Sequence, residues 1–221
     1  MKYLLDTAIY EDIKNFIGLN FIGGVTTNPS LLSKIDFKTY KKDLFKIRDL
    51  CSANNKKLSI EVFSENPDEI YDEAKTINDE FNFNGLYIKI PITFKNIEII
   101  QKLEDEGVKI NCTCVYTIEQ SLPLALMNVS IISIFYNRTK DKGNNPDEII
   151  YSLKKFIIEN ESKSKIITGS IRKTEDISNS LLNGTDYVTL NPEIIKKSFF
   201  HDGSQESIDQ FSSDLKLWQT K

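Results

Sequence analysis

The sequence predicts an α/β fold, a closed (β/α)8 TIM barrel with one extra helix at its carboxyl end. Three observations predict it. Short apolar runs recur eight times, amphipathic segments separate them, and 221 residues is a usual length for one such barrel. Most runs are β-branched or apolar on both faces, as in a parallel sheet covered on both sides. An open doubly wound sheet is the runner-up, but it needs a glycine-rich phosphate turn after an early strand. Gly23-Gly24 precedes a strand end instead and makes no such turn.

The runs place strands near Tyr3–Asp6, Ile22–Thr26, Leu58–Phe63 and Leu86–Ile90. Four more fall near Lys109–Cys114, Ile131–Phe135, Ile166–Ser170 and Tyr187–Leu190. Between them, helical periodicity predicts helices over Pro67–Phe81, Ile92–Glu106, Ile118–Met127 and Pro146–Glu159. Asn66-Pro67 opens the first with a cap and a proline at N1, and Gly107 closes the second. A last amphipathic stretch, about 205–218, predicts a helix beyond the eighth unit, packed under the barrel or, as the alternative, against another subunit. No linker, repeat or low-complexity tract divides the chain, so residues 1–221 are expected to form one barrel domain.

Composition narrows the function. The chain is 40% hydrophobic and 27% charged, which suits a globular protein and excludes disordered and fibrous classes. With 28 Lys+Arg against 32 Asp+Glu there is no global field for a polyanion, so nucleic acid is not an expected partner. Any phosphate must then sit in a local site. No stretch approaches the roughly 18 apolar residues of a membrane span, and the start lacks the long apolar run of a signal peptide. Three cysteines form neither an even framework nor a zinc pattern, and one histidine excludes a histidine-rich metal site. A reduced, cytoplasmic protein is expected.

In a barrel of this kind the reacting groups gather at the carboxyl ends of the strands. Those ends read Asp6, Thr26-Thr27-Asn28, Glu61, Lys89, Asn111-Cys112-Thr113, Ser133-Ile134-Phe135 and Ser170-Ile171-Arg172. Lys89 stands in the apolar strand Leu86-Tyr87-Ile88-Lys89-Ile90-Pro91. Burial disfavours an ammonium, and a neutral amine is the nucleophile of Schiff-base chemistry. A lysine snorkelling to the rim toward a carboxylate is the equal alternative. Asp6 and Glu61 can divide proton transfer beside such a lysine, or can be ordinary salt-bridge partners. Thr26-Thr27-Asn28-Pro29 reads as a capped helix start, which accounts for Asn28 and Pro29 but not for both threonines. Arg138, Ser170 and Arg172, near adjacent strand ends, suggest an anion site.

These residues, in this order and spacing, resemble the small transaldolases and their close relatives, the fructose-6-phosphate aldolases. The resemblance runs through nearly the whole chain. It rests on Leu5-Asp6-Thr7-Ala8, on Val25-Thr26-Thr27-Asn28-Pro29-Ser30, and on Ile88-Lys89-Ile90-Pro91. It continues through Asn111-Cys112-Thr113, Ser133-Ile134-Phe135-Tyr136-Asn137-Arg138 and Gly169-Ser170-Ile171-Arg172. It implies class I aldol chemistry on sugar phosphates with no metal and no organic cofactor. By the match, Lys89 forms the Schiff base, Glu61 and Thr113 hold the water, and Asp6 takes the C4 hydroxyl proton. Thr26, Asn28, Asn111, Ser133 and Phe135 are the matching substrate contacts, and Arg138, Ser170 and Arg172 hold the terminal phosphate.

The resemblance also separates two activities. In the free aldolases a tyrosine takes the place of Phe135 and a glutamine that of Glu61, and Asn111 and Ser133 are replaced. All four positions follow the transaldolase pattern here, so a transaldolase of the pentose phosphate pathway is expected and a fructose-6-phosphate aldolase is the alternative. A sugar-phosphate-binding protein without catalysis is a third reading, which the intact Lys89, Asp6, Glu61 and Thr113 oppose. Gly169 stands where the family usually has alanine. The resemblance further implies a homo-oligomer, ring-shaped in small members of the family.

Overall fold

Eight parallel strands close into a barrel in sequence order. They are β1 (Lys2–Asp6), β2 (Ile22–Thr26), β3 (Lys57–Glu61), β4 (Leu86–Pro91), β5 (Ile110–Val115), β6 (Ile131–Phe135), β7 (Lys165–Gly169) and β8 (Tyr187–Leu190). Every strand pairs with its two sequence neighbours, and β1 closes on β8. The computed structural model describes residues 1–220.

Helices follow the strands and cover the outside. They are α1 (Tyr10–Phe16), α2 (Pro29–Leu32), α3 (Tyr40–Ala53), α4 (Pro67–Phe81), α5 (Ile97–Asp105) and α6 (Ile118–Leu126). After them come α7 (Tyr136–Asp141), α8 (Pro146–Glu159), α9 (Thr174–Leu182), α10 (Pro192–Ser198) and α11 (Asp202–Gln219). Asn-Pro is the recurrent start signal. Asn28, Asn66, Asn145 and Asn191 each accept a backbone N–H with the side chain, and the proline after each occupies the first turn. Such a cap stabilises a helix by about 1 kcal/mol.

Three boundaries differ from the expected ones by more than one residue, each for a local reason. β3 stops at Glu61 because the N–H groups of Phe63 and Ser64 go to the Glu73 carboxylate (2.9 and 2.9 Å) and not to a neighbouring strand. The helix expected from Ile92 begins at Ile97. Ile92 still bonds to Thr113 of β5, and Thr93 then caps a 3-10 turn over Phe94–Asn96. The carboxyl helix begins at Asp202, ahead of residue 205, because the His201 ring accepts the Gly203 N–H (3.1 Å). It also fails to pack under the barrel: α11 buries none of its residues.

The main core lies between sheet and helices, built by outward-facing strand residues such as Ile60, Ile88, Ile134 and Val188. Each such side chain, fully buried, contributes about 1.5–3 kcal/mol. Inside the barrel a separate apolar layer holds Leu4, Ile131 and Ile167, with Tyr87 and Tyr187 packed against it. Toward the carboxyl ends the interior turns polar, with buried Ser59, Asn111, Lys89, Ser133 and Thr189. Period-2 alternation projects all of these from the same inward faces.

Candidate active site

Lys89 lies within β4 with only 5% of its surface exposed, and its ammonium is held from two sides. It pairs with the Glu61 carboxylate across the β3–β4 register (2.8 Å) and donates to the Thr27 carbonyl (2.9 Å). The rim-snorkelling alternative is therefore set aside: the amine points into the barrel. A buried pair of this kind is strongly coupled, since removing one partner strands the other charge.

Asp6, at the end of β1, reaches the same interior. Thr26 donates its hydroxyl proton to Asp6 (2.8 Å) and shares a short hydrogen bond with Thr189 of β8. Because Thr26 has one proton and gives it to Asp6, the proton of the second bond belongs to Thr189. A donor chain thus runs Thr189 to Thr26 to Asp6. Burial pushes the Asp6 carboxyl above the usual carboxylate range. The Lys89 charge and the Thr26 bond offset only part of that, and Glu61 adds to it.

Both threonines of the Thr26-Thr27 pair now have a role. Thr26 orients Asp6, while Thr27 fastens β2 to the Ser59 carbonyl (3.0 Å) and offers its own carbonyl to Lys89. Asn28 caps α2 through its side-chain oxygen (2.9 Å) and also lines the cleft. Asn111 donates to the Ser59 hydroxyl (3.1 Å) and accepts from Ser133 (2.6 Å), so its amide orientation is settled by buried neighbours. Thr113 is fully buried, lines the cleft, and its hydroxyl has no hydrogen-bond partner.

The opposite wall is cationic. Arg138, in the first turn of α7, stacks its guanidinium over Phe135 (4.9 Å) and is exposed at the mouth. Ser170 adopts a left-handed backbone (φ +60°), and its carbonyl accepts from both the N–H and the side chain of Asn137. Asn137 is in turn gripped by the Asp176 carboxylate (2.7 Å). Burial would raise the Asp176 carboxyl, but Asn137, the N–H groups of Arg172 and Lys173, and Lys140 together hold it below its usual value.

Most of these side chains line one cleft at the carboxyl end of the barrel. It is lined by the amine of Lys89, with Glu61 behind it, the carboxylate of Asp6, a buried hydroxyl without a partner, and an arginine without a carboxylate partner among the described residues. A family profile described as Transaldolase/Fructose-6-phosphate aldolase matches residues 3–221. The chain belongs to this family.

Relatives named "Probable transaldolase" match end to end. One from Lactiplantibacillus plantarum is 31% identical over 99% of this chain and 98% of its own length. Others, from Thermoplasma volcanium and Petrotoga mobilis, are 32% and 30% identical, each covering 96% of the relative.

Of the residues expected at a family site, all but two line the cleft directly. Glu61 stands behind Lys89 as its ion-pair partner. Arg172 is the departure: half-exposed, it makes a bidentate pair with Asp141 of α7 (3.0 and 2.6 Å) and does not face the cleft. Its backbone N–H serves the site indirectly through Asp176. Tyr136, beside Phe135, is buried and gives its hydroxyl to Asp147 (2.7 Å), so no phenol reaches the cleft.

Sequence reasoning missed Thr189 and Ile167, which also line the cleft. Thr189 carried a signal, since it is the polar residue in the otherwise apolar end of Tyr187–Leu190. Gly169 is explained by the same neighbour. A Cβ there would stand 3.2 Å from the Thr189 methyl, so the usual alanine is tight against this threonine.

Proposed function

We propose that the protein is a transaldolase that moves a dihydroxyacetone unit from fructose 6-phosphate or sedoheptulose 7-phosphate to an aldose phosphate, in the pentose phosphate pathway. The observation that carries this reading is Lys89 buried in the cleft against Glu61, with Asp6 beside them and Arg138 on the far wall.

Glu61 is the nearest acceptor for the proton that Lys89 must lose. The free amine adds to the C2 carbonyl, and water leaves to give a protonated imine. Asp6 takes the C4 hydroxyl proton, the C3–C4 bond breaks, and its electron pair moves into the imine to form an enamine. The aldose phosphate departs. An incoming aldehyde is then attacked by the enamine carbon, Asp6 returns the proton, and water releases the product from Lys89. In this reading Thr113 and Glu61 hold that water, which the free buried hydroxyl of Thr113 and the Glu61–Lys89 pair support. Asn28, Asn111 and Ser133 bind the three-carbon fragment, while Arg138 and Ser170 bind the terminal phosphate. The pairing of Arg172 with Asp141 supports a lesser part for it in phosphate binding, through its N–H on Asp176.

Phe135 and Glu61 favour transfer over release. Free aldolase activity requires protonation of the enamine, and neither the phenyl ring nor the Tyr136 hydroxyl, bound to Asp147, supplies a donor there. The deciding assay follows glyceraldehyde 3-phosphate from fructose 6-phosphate with and without erythrose 4-phosphate. Release that depends on the acceptor is expected. Equal release without acceptor, with free dihydroxyacetone, would make the protein a fructose-6-phosphate aldolase, and Phe135→Tyr should move the enzyme toward that behaviour. Borohydride trapping should label Lys89, and Lys89→Ala should lose both label and turnover.

A homo-oligomer, ring-shaped in the family pattern, is part of this proposal. Its support is α11, where Ile208, Phe211, Leu215 and Trp218 form one exposed stripe with helical spacing and no cover from the rest of the chain. A cytoplasmic setting is supported by three unpaired cysteines, two of them buried.

A further inference from the structure

The amino-terminal mouth of the barrel carries a charge pattern that the aldol chemistry does not use. At that end the odd strands all present lysine: Lys2 in β1, Lys57 in β3, Lys109 at the entry to β5 and Lys165 in β7. Each shares the inward face with a residue two places on, namely Leu4, Ser59, Asn111 and Ile167. Two contacts confirm this direction. A Cβ at Gly23 would fall 3.0 Å from the Lys2 Cβ and 3.4 Å from Leu4, so both side chains occupy the space Gly23 leaves. The Lys57 ammonium stands 4.9 Å from the Tyr87 ring and 5.9 Å from the Tyr187 ring, between opposite walls of the barrel. Lys109 approaches the same Tyr87 ring at 5.8 Å.

Barrel layers are ordinarily filled by Val, Ile and Leu. A layer of four lysines concentrates like charge, and here the chain supplies no counter-charge. None of the four has a carboxylate within ion-pair distance among the described residues. The nearby acids are committed elsewhere. Asp186 binds Lys154 and the Ile166 N–H, and Glu104 binds Ile110 and Ser130. Lys57 spends one donor on the Tyr87 hydroxyl (2.8 Å) and Lys109 two on Asn84, which leaves donors free on both. Lys2 and Lys165 are exposed at the rim. All this sits on a chain of net charge −4.

We propose that this mouth is a second anion site, separate from the substrate phosphate site, that takes a compact multivalent oxyanion of the di- or triphosphate class. Lys57 supplies the floor, Lys109 one wall, and Lys2 and Lys165 the rim. Four residues of strand, about 13 Å, separate Lys57 from Glu61, with the Leu4–Ile131–Ile167 layer between the two ends. A compact ring of charge suits a short anion, whereas an extended nucleic acid strand needs a long basic stripe.

The test is calorimetric titration of tripolyphosphate into the full-length protein at low ionic strength, where screening is weak. Three proteins are compared: wild type, Lys2→Gln/Lys165→Gln, and Arg138→Gln. Both lysines of the double variant are exposed, so the fold is not at risk. The expected result is binding to wild type that falls at least tenfold in the lysine variant and stays within twofold in Arg138→Gln, with inorganic phosphate at least tenfold weaker. In parallel, tripolyphosphate should protect Lys57 and Lys165 from reductive methylation read by peptide mass spectrometry. An ATP arm tells a free oligophosphate from one carried on a nucleoside: binding as tight as tripolyphosphate supports the site in its nucleotide form, and weaker binding supports the free anion. The proposal is overturned by no binding at millimolar probe, by loss in Arg138→Gln alone, by equal binding in all three proteins, or by tighter binding of a single-stranded oligonucleotide.

Discussion

Asp6 illustrates how one side chain can be arranged for chemistry at the expense of stability. Its carboxyl is raised by burial, so the folded state holds its proton more tightly than the unfolded chain does. The stability attached to that protonated form is present below the unfolded value, near 3.8, and is lost as pH rises through the folded value. At neutral pH the buried carboxylate is therefore a net cost. Asp6→Asn keeps an acceptor for Thr26 and removes that cost. It should cut turnover about 100-fold or more, as loss of a general acid–base does, yet resist urea better than wild type at pH 7. The two unfolding curves should converge near pH 3, and a variant less stable at pH 7 would refute this account of Asp6. Lys89→Ala should go the other way, losing about 3–5 kcal/mol because Glu61 is left buried without its partner. Adding Glu61→Gln should recover part of that loss in the same urea melts.

At the scale of elements, the strand-to-helix connections position the phosphate side of the cleft. The link from β7 to α9 is held by Asp176, whose carboxylate collects Asn137, Arg172 and Lys173 N–H donors while Asn137 in turn fixes the left-handed Ser170. Here the sign is reversed. A lowered carboxyl stabilises the fold above the unfolded value and loses that contribution as pH falls through the folded value. Asp176→Asn should cost about 1–3 kcal/mol at pH 7, with the difference shrinking toward pH 3. It should also raise KM for phosphorylated substrates more than it lowers kcat, because Ser170 loses its anchor. An unchanged KM would show that this connection does not shape the phosphate site. The Asn-Pro starts of α2 and α4 were read in the sequence, as cap and N1 proline are adjacent residues, and the same pair opens α8 and α10. The start of α5 was not legible there, because it depends on Ile92 bonding to a neighbouring strand.

For the whole molecule, the uncovered helix α11 is the feature that one chain leaves incomplete. Eighteen residues with an apolar stripe and no burial do not gain from packing within the chain. Self-association through that stripe should appear as a multimeric mass by size-exclusion chromatography with light scattering. Phe211→Gln/Trp218→Gln should shift it toward the monomer while leaving the barrel folded by circular dichroism. A monomeric wild type would overturn the oligomer proposal.

What the sequence determined by itself was periodic or adjacent in the chain. The eight strands, the Asn-Pro starts of α2 and α4, and the polar residues at strand ends follow from alternation, capping and apolar runs, each of which acts over a few residues. Tertiary structure decided what depends on facing partners. It aimed Lys89 at Glu61 across β3 and β4, linked Thr189 through Thr26 to Asp6, and turned Arg172 away to Asp141. It also brought four lysines, each unremarkable in its own strand, into one layer at the amino-terminal mouth. Closure of the barrel sets these relations, since it places residues more than 100 positions apart within hydrogen-bond reach.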